Sequence, residues 1–144
     1  MTMRVLFDVN ALLALVDKEH DFQPTVRAWW AVNKEGGWAT CPITQNGFAR
    51  IMSQPHYSNP APTMDAIQLL AMGLDQADHE FWPDDVSITD HRLFDRSHVL
   101  GPNQVTDVYL LGLAVKNGGR LVTFDRGLPI SAVRGAEARH LVVL

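Results

Sequence analysis

Val5-Leu6-Phe7-Asp8-Val9-Asn10-Ala11-Leu12-Leu13-Ala14-Leu15 carries two signals in one short stretch. An apolar run with the length of a strand is followed directly by an apolar run of helix formers, with Asp8 and Asn10 at the junction. A strand feeding a helix in this way is the opening half of a βαβ unit. The arrangement recurs at Leu121-Val122-Thr123-Phe124-Asp125, where an apolar run again ends on an aspartate. Val105-Thr106-Asp107-Val108-Tyr109 sets a third aspartate at the head of a helix-like segment. Parallel strands of an open α/β sheet share one carboxyl edge, and ligand crevices form there. Asp8, Asp107 and Asp125 are therefore expected to converge. Three carboxylates with no base among them make a site for a hard cation.

The remaining elements follow from the same periodicities. Residues 3–7, 38–41, 80–83, 120–124 and 141–144 read as strands. Helices are expected over 11–16, 24–33, 43–52, 64–74 and 103–116, with a short one over 90–95. Pro24 opens one of these, and the pairs Gly36-Gly37 and Gly118-Gly119 stop two others. Val26, Trp29, Trp30 and Val32 lie on or near the apolar side of the second helix, although two adjacent tryptophans cannot both meet one core spot. Either one of them faces a partner, or both are partly buried in the monomer. Met64, Ile67, Leu70, Ala71 and Leu74 mark the expected inner face of 64–74. Residues 54–63, with Pro55, Pro60 and Pro62, form a loop. Alternating strands and helices give an α/β domain with a mainly parallel sheet, and size favours one domain over residues 1–144.

Bulk properties exclude several classes. A net charge of −4 argues against a simple basic nucleic-acid-coating protein, but not against an enzyme whose acidic site takes up a cation. Cys41 is the single cysteine, so neither an internal disulfide nor a thiolate zinc cluster is expected. No apolar run has the length of a membrane span, and Asp8 and Asn10 interrupt the first apolar stretch, which makes it a poor signal peptide. The expected location is cytoplasmic. The six histidines show no ligand spacing, and no phosphate-binding glycine loop or Ser/His/Asp nucleophile is present.

Each aspartate also has a purely local role open to it. Asp8 or Asp107 suits a helix cap and Asp125 a turn, and capping is compatible with ligation. Mg2+ or Mn2+ held by two or three carboxylates keeps positions for a phosphate oxygen and a water, which is the chemistry of phosphodiester hydrolysis. Arg50 and Arg126 follow the acidic motifs closely, suited either to a phosphate or to an ion pair with a site carboxylate. Arg92 and Arg96, interleaved with His91 and His98, form a local basic strip that suits either RNA phosphates or a solvated loop.

Four segments in order then carry a resemblance: 6–15 around Asp8, 40–50 (Thr40-Cys41-Pro42-Ile43-Thr44-Gln45-Asn46-Gly47-Phe48-Ala49-Arg50), 105–111 around Asp107 and 121–127 around Asp125. Together they resemble a PIN-domain ribonuclease of the VapC toxin type over nearly the whole chain. The resemblance implies a PIN-like three-layer α/β/α sandwich and Mg2+- or Mn2+-dependent endoribonuclease activity leaving a 3′-hydroxyl and a 5′-phosphate. It also implies a cognate antitoxin and a homodimer. Asp8, Asp107 and Asp125 carry over as metal-site carboxylates, with Asn10 and Thr123 as supporting polar residues.

One position departs from the family. The second acidic residue, usually Glu, is Gln45 here, and an amide oxygen carries no charge and cannot serve as a base. The site works with three carboxylates, or borrows Asp90 or Asp95, or is weakened. A non-cleaving PIN-like binding module is therefore the main rival. A haloacid-dehalogenase-type phosphatase with Asp8 as nucleophile is a lesser one, since Asp8-Val9-Asn10 lacks the general acid. If three carboxylates suffice, Gln45→Glu preserves or raises metal-dependent RNA cleavage; a clear loss with the fold intact would reveal another role for the amide.

Overall fold

The computed structural model describes residues 2–76 and 78–144; Met1, counted above in the one-domain expectation, lies outside them. Five short strands form one all-parallel sheet: β1 (Val5–Phe7), β2 (Trp38–Thr40), β3 (His79–Phe81), β4 (Arg120–Thr123) and β5 (Leu141–Val143), in the order β3-β2-β1-β4-β5. The helices are α1 (Val9–Val16), α2 (Gln23–Asn33), α3 (Pro42–Met52), α4 (Thr63–Leu74) and α5 (Val105–Lys116). The chain thus moves outward from β1 to one side and then returns to build the other. The topological switch point lies between β1 and β4, whose registers pair Leu6 with Leu121 and Phe7 with Val122.

Strand alternation divides the interior into two layers. Leu6, Ala39 and Leu121 face one core, shared with α5. Val5, Phe7, Trp38 and Val122 face the other, shared with α1, α3 and α4. Helix α5 is buried continuously from Val108 to Ala114, as its near-continuous apolar sequence requires. Its Gly112 accommodates the Phe94 ring, where any Cβ would collide. Gly118, at φ +69°, turns the chain from α5 into β4, the left-handed conformation that glycine adopts without steric cost. No helix among the described residues is long and apolar enough to cross a membrane.

Three expectations need correction. Residues 91–93 make a turn, not a helix, and Phe94 then bridges to Val133; Asp90 accepts the Arg92 backbone N–H at 2.9 Å. Such local side-chain acceptance competes with helix formation. Asp95 does the same with Ser97 N–H at 3.1 Å, capping a 3-10 turn over Arg96–His98. In α4 the buried line is Ala66 and Leu70, with Leu74 partly covered, whereas Met64 and Ile67 are exposed and Ala71 faces outward. In α2, Trp29 and Trp30 are both half-buried and both meet Phe7 edge-on, at 6.4 and 5.5 Å between centroids. A single large ring in the sheet has room for both neighbours, whereas Val32 is exposed.

Helix α3 reaches α1 through Gly47. A Cβ there would lie 2.6 Å from one methyl of Val9 and 3.2 Å from the other, so no rotation of the branched side chain relieves it. Gly47→Ala is predicted to destabilise the protein by about 1–3 kcal/mol through overpacking. Denaturant midpoints test this, and an unchanged midpoint would contradict the close approach.

Candidate active site

Asp8 follows β1 and begins α1. Its backbone is extended, and Oδ1 accepts the Ala11 N–H at 2.7 Å as the N-cap. Its other oxygen, Oδ2, accepts the Thr123 hydroxyl at 2.6 Å. Thr123 is fully buried at the end of β4, next to β1 in the sheet. The same Thr123 Oγ1 accepts the Asp125 N–H at 3.0 Å, and Asp125 Oδ1 accepts the Gly127 N–H at 2.9 Å. Asp8 and Asp125 are therefore tied through one threonine at the switch point.

Asp107 comes from a different element, the first turn of α5. Burial pushes its carboxyl up to about 7, and the charges of Asp8 and Asp125 push in the same direction. Asp8 is also raised, first by burial and last by Asp125, against the lowering hydrogen bonds from Thr123 and Ala11. No cationic side chain contributes at either group. The three acids named from sequence thus feel one another, as expected of groups sharing a crevice. The local roles are real too, since Asp8 caps a helix and Asp125 makes a turn. The carboxylates do not close into a finished shell: among the described residues, no three His, Cys, Asp or Glu side chains form a ready-made cation site. The donor set nonetheless fits a divalent ion in its chemistry, being all oxygen, acidic and mutually repulsive.

The supporting residues divide. Thr123 is central. Asn10 is exposed on the first turn of α1 and does not join the hydrogen-bonded set. Gln45 sits on α3 and forms no hydrogen bond with the acids among the described residues, its Nε2 donating instead to Thr40 Oγ1 at 2.9 Å. Thr40 in turn meets His79 Nε2 at 2.8 Å. Neither acid considered as a replacement for the missing glutamate belongs to the group. Asp90 bonds Arg92, and Asp95 bonds Ser97 and lies 3.8 Å from Arg134. Arg92 is thereby occupied in an ion pair with Asp90 at 3.2 Å. Arg50, Arg96 and Arg126 are exposed and form no ion pair among the described residues.

Two neighbours escaped the sequence reading. Thr40 was hidden inside an apolar strand. Gln104 precedes α5, donates from Nε2 to the Gly127 carbonyl at 2.8 Å, and keeps its buried Oε1 without a partner. The signal for Gln104 was its place one helical turn ahead of Asp107. The loop over 53–62 is anchored elsewhere. Tyr57 Oη and Asn59 Nδ2 donate to buried Asp17, at 2.6 and 3.0 Å, at the far end of α1 from Asp8. A cleft of about 660 Å3 between Leu15, Trp30, Trp38 and Gly73 includes none of the three acids.

The PIN domain family model matches residues 5–134. Ribonuclease VapC44 of Mycobacterium tuberculosis is 51% identical over 142 residues, covering 99% of this chain and all of that protein. Ribonuclease VapC39 of the same organism is 41% identical over 135 residues, covering 92% of this chain and 96% of that one. A crystal structure of VapBC2 from Rickettsia felis bound to a DNA fragment from their promoter superposes with a TM-score of 0.56. It covers 87% of this chain and 90% of that chain at 16% identity, a likeness of fold.

The burial of Asp107 beside two other acids has a measurable consequence. Its carboxyl is pushed up to about 7 in the folded protein against 3.8 for an ordinary carboxyl. The folded state therefore holds this proton more tightly. Its contribution to stability is present below about 4 and is lost as pH rises through about 7. In EDTA, Asp107→Asn is predicted to be more stable than the parent at pH 8, with the difference closing towards pH 4. Denaturant midpoints at the two pH values test it, and an equal or lower midpoint for the variant at pH 8 would contradict a penalty on the charged form from burial and neighbouring acids.

Proposed function

The chain belongs to the PIN-domain family, and from that premise we propose that it is a divalent-metal-dependent endoribonuclease, the toxin half of a toxin–antitoxin pair. The observation that carries this reading is the Thr123 bridge that ties Asp8 to Asp125 at the sheet's switch point, with Asp107 raised first by burial and then by those two acids and no base among its perturbing groups. The near full-length likeness to Ribonuclease VapC44 supports it from sequence.

In this reading Asp8, Asp107 and Asp125 hold Mg2+ or Mn2+. When bound, the ion supplies charge for the phosphodiester oxygens and acidifies a water. Thr123 fixes Asp8 by donating to Oδ2, which leaves that oxygen's second lone pair for ligation. Asp107, pushed up to about 7 by burial and the two other acids, would release its proton as a cation is taken up and regain it when the cation leaves. Arg50, Arg96 and Arg126 offer unpaired guanidinium groups to the RNA backbone. Arg92 is withdrawn from that role by Asp90. The proposed partners are RNA, an antitoxin protein and a second copy of the chain, in a cytoplasmic setting.

The non-cleaving binding module remains the competing reading because Gln45 supplies an amide, turned to Thr40, where the family usually has an acid. An RNA-cleavage assay in Mn2+ separates the two. Asp8→Ala and Asp125→Asn are each predicted to lower kcat/KM by at least about a hundredfold, the scale expected when a ligand of a catalytic ion is removed. Undiminished cutting in either variant would defeat its assigned role. RNA binding by the parent without cleavage in Mn2+ or Mg2+ would favour the rival.

A further inference from the structure

We infer that Gln104 is a positioning residue for the acidic cluster, acting by pinning the turn that carries Asp125 to the head of the helix that carries Asp107. The inference rests on the ribonuclease reading above and adds a residue to it.

Gln104 ends a 3-10 turn over Pro102–Gln104, and Val105 begins α5 directly after it. Its side chain does not cap α5. Instead it reaches across to the segment after β4, where Nε2 donates to Gly127 O at 2.8 Å. The orientation of the amide is fixed by chemistry, because a carbonyl oxygen only accepts and the group facing it must be the NH2. The Asp125 carboxylate flanks the same spot. A Cβ built on Gly127 would lie 3.4 Å from Asp125 Oδ1 and 3.5 Å from Gln104 Nε2.

The bond closes a circuit. Gln104 holds Gly127, and the Gly127 N–H holds Asp125 Oδ1. The Asp125 N–H meets Thr123, and the Thr123 hydroxyl holds Asp8. Asp107, three residues beyond Gln104, is the member otherwise joined to the others only by repulsion. The amide of Gln104 is thus the hydrogen-bonded tie between the Asp107 element and the Asp8–Asp125 pair. Repelling carboxylates on separate elements need such a tie to keep their spacing until a cation arrives.

The other end of the amide has no partner. Gln104 Oε1 is buried without a hydrogen bond, a costly state that a donor delivered with the load, such as a water or a ribose hydroxyl, would relieve.

Gln104→Met, which keeps length but cannot donate to the Gly127 carbonyl and accepts only weakly, tests the inference. Mn2+ affinity is measured by electron paramagnetic resonance without RNA, and kcat and KM by cleavage of an RNA substrate. Thermal midpoint and amide exchange of 125–127 complete the set. The expected result is a Mn2+ affinity lower by roughly tenfold or more, the scale seen for residues that orient ligands. A fall in kcat at fixed Mn2+, faster exchange at 125–127 and a KM within about twofold are expected alongside. Should that variant fail to fold, Gln104→Asn keeps the amide but stops one methylene short of Gly127, and the same losses are expected. Unchanged Mn2+ affinity and kcat, or a change confined to KM or to the thermal midpoint, would overturn the inference while leaving the ribonuclease reading intact. A parent protein that neither binds Mn2+ nor cuts RNA would overturn both.

Discussion

Like charges resist being gathered, and this fold gathers three. Asp8, Asp107 and Asp125 come from the end of β1, the start of α5 and the turn after β4, and each of the first two is raised by its neighbours as well as by burial. The cost is met by the rest of the molecule, through two apolar layers packed on a parallel sheet and a switch point between β1 and β4 that leaves a crevice at the carboxyl edge. Local devices then hold each acid in place: a helix cap and a threonine hydroxyl for Asp8, a turn for Asp125 and, for Asp107, the first turn of a helix buried from Val108 to Ala114.

The same arrangement explains why the acids are chemically useful. A carboxylate hydrogen-bonded only once at each oxygen retains lone pairs, and one that ionises near neutrality responds to a nearby cation or proton. Asp8 is the first kind and Asp107 the second. Gln45 brings no charge to the cluster and turns towards Thr40 and His79. The electrostatics of the site are therefore those of three acids, and the basic residues close to it in sequence stay outside in solvent.

Much of this was legible in the chain because the key residues sit where regular elements end. β1 and β4 each run apolar up to a site residue, and α5 is apolar on every side, so strand, helix and acid could be read together. Legibility failed where two local solutions compete. Residues 90–95 have helix-like composition, but the carboxylates of Asp90 and Asp95 capture backbone N–H groups and make turns. α4 carries apolar residues on both faces, so its period allowed two inner lines, and packing chose Ala66–Leu70 over Met64–Ile67. Adjacent Trp29 and Trp30 share one core partner because both meet the Phe7 ring in edge geometry. Gln104 was marked only by its place one helical turn ahead of Asp107, since its partner is a backbone carbonyl 23 residues away.

The three acids, distant in sequence, are proposed to hold a cation between them. Anomalous diffraction at the manganese edge, from crystals of the parent protein soaked in Mn2+, reads its location directly. A peak is expected within ligand distance of carboxylate oxygens from Asp8 and from at least one of Asp107 and Asp125. A peak held by other residues, or saturating Mn2+ with no peak at this edge of the sheet, would contradict that placement.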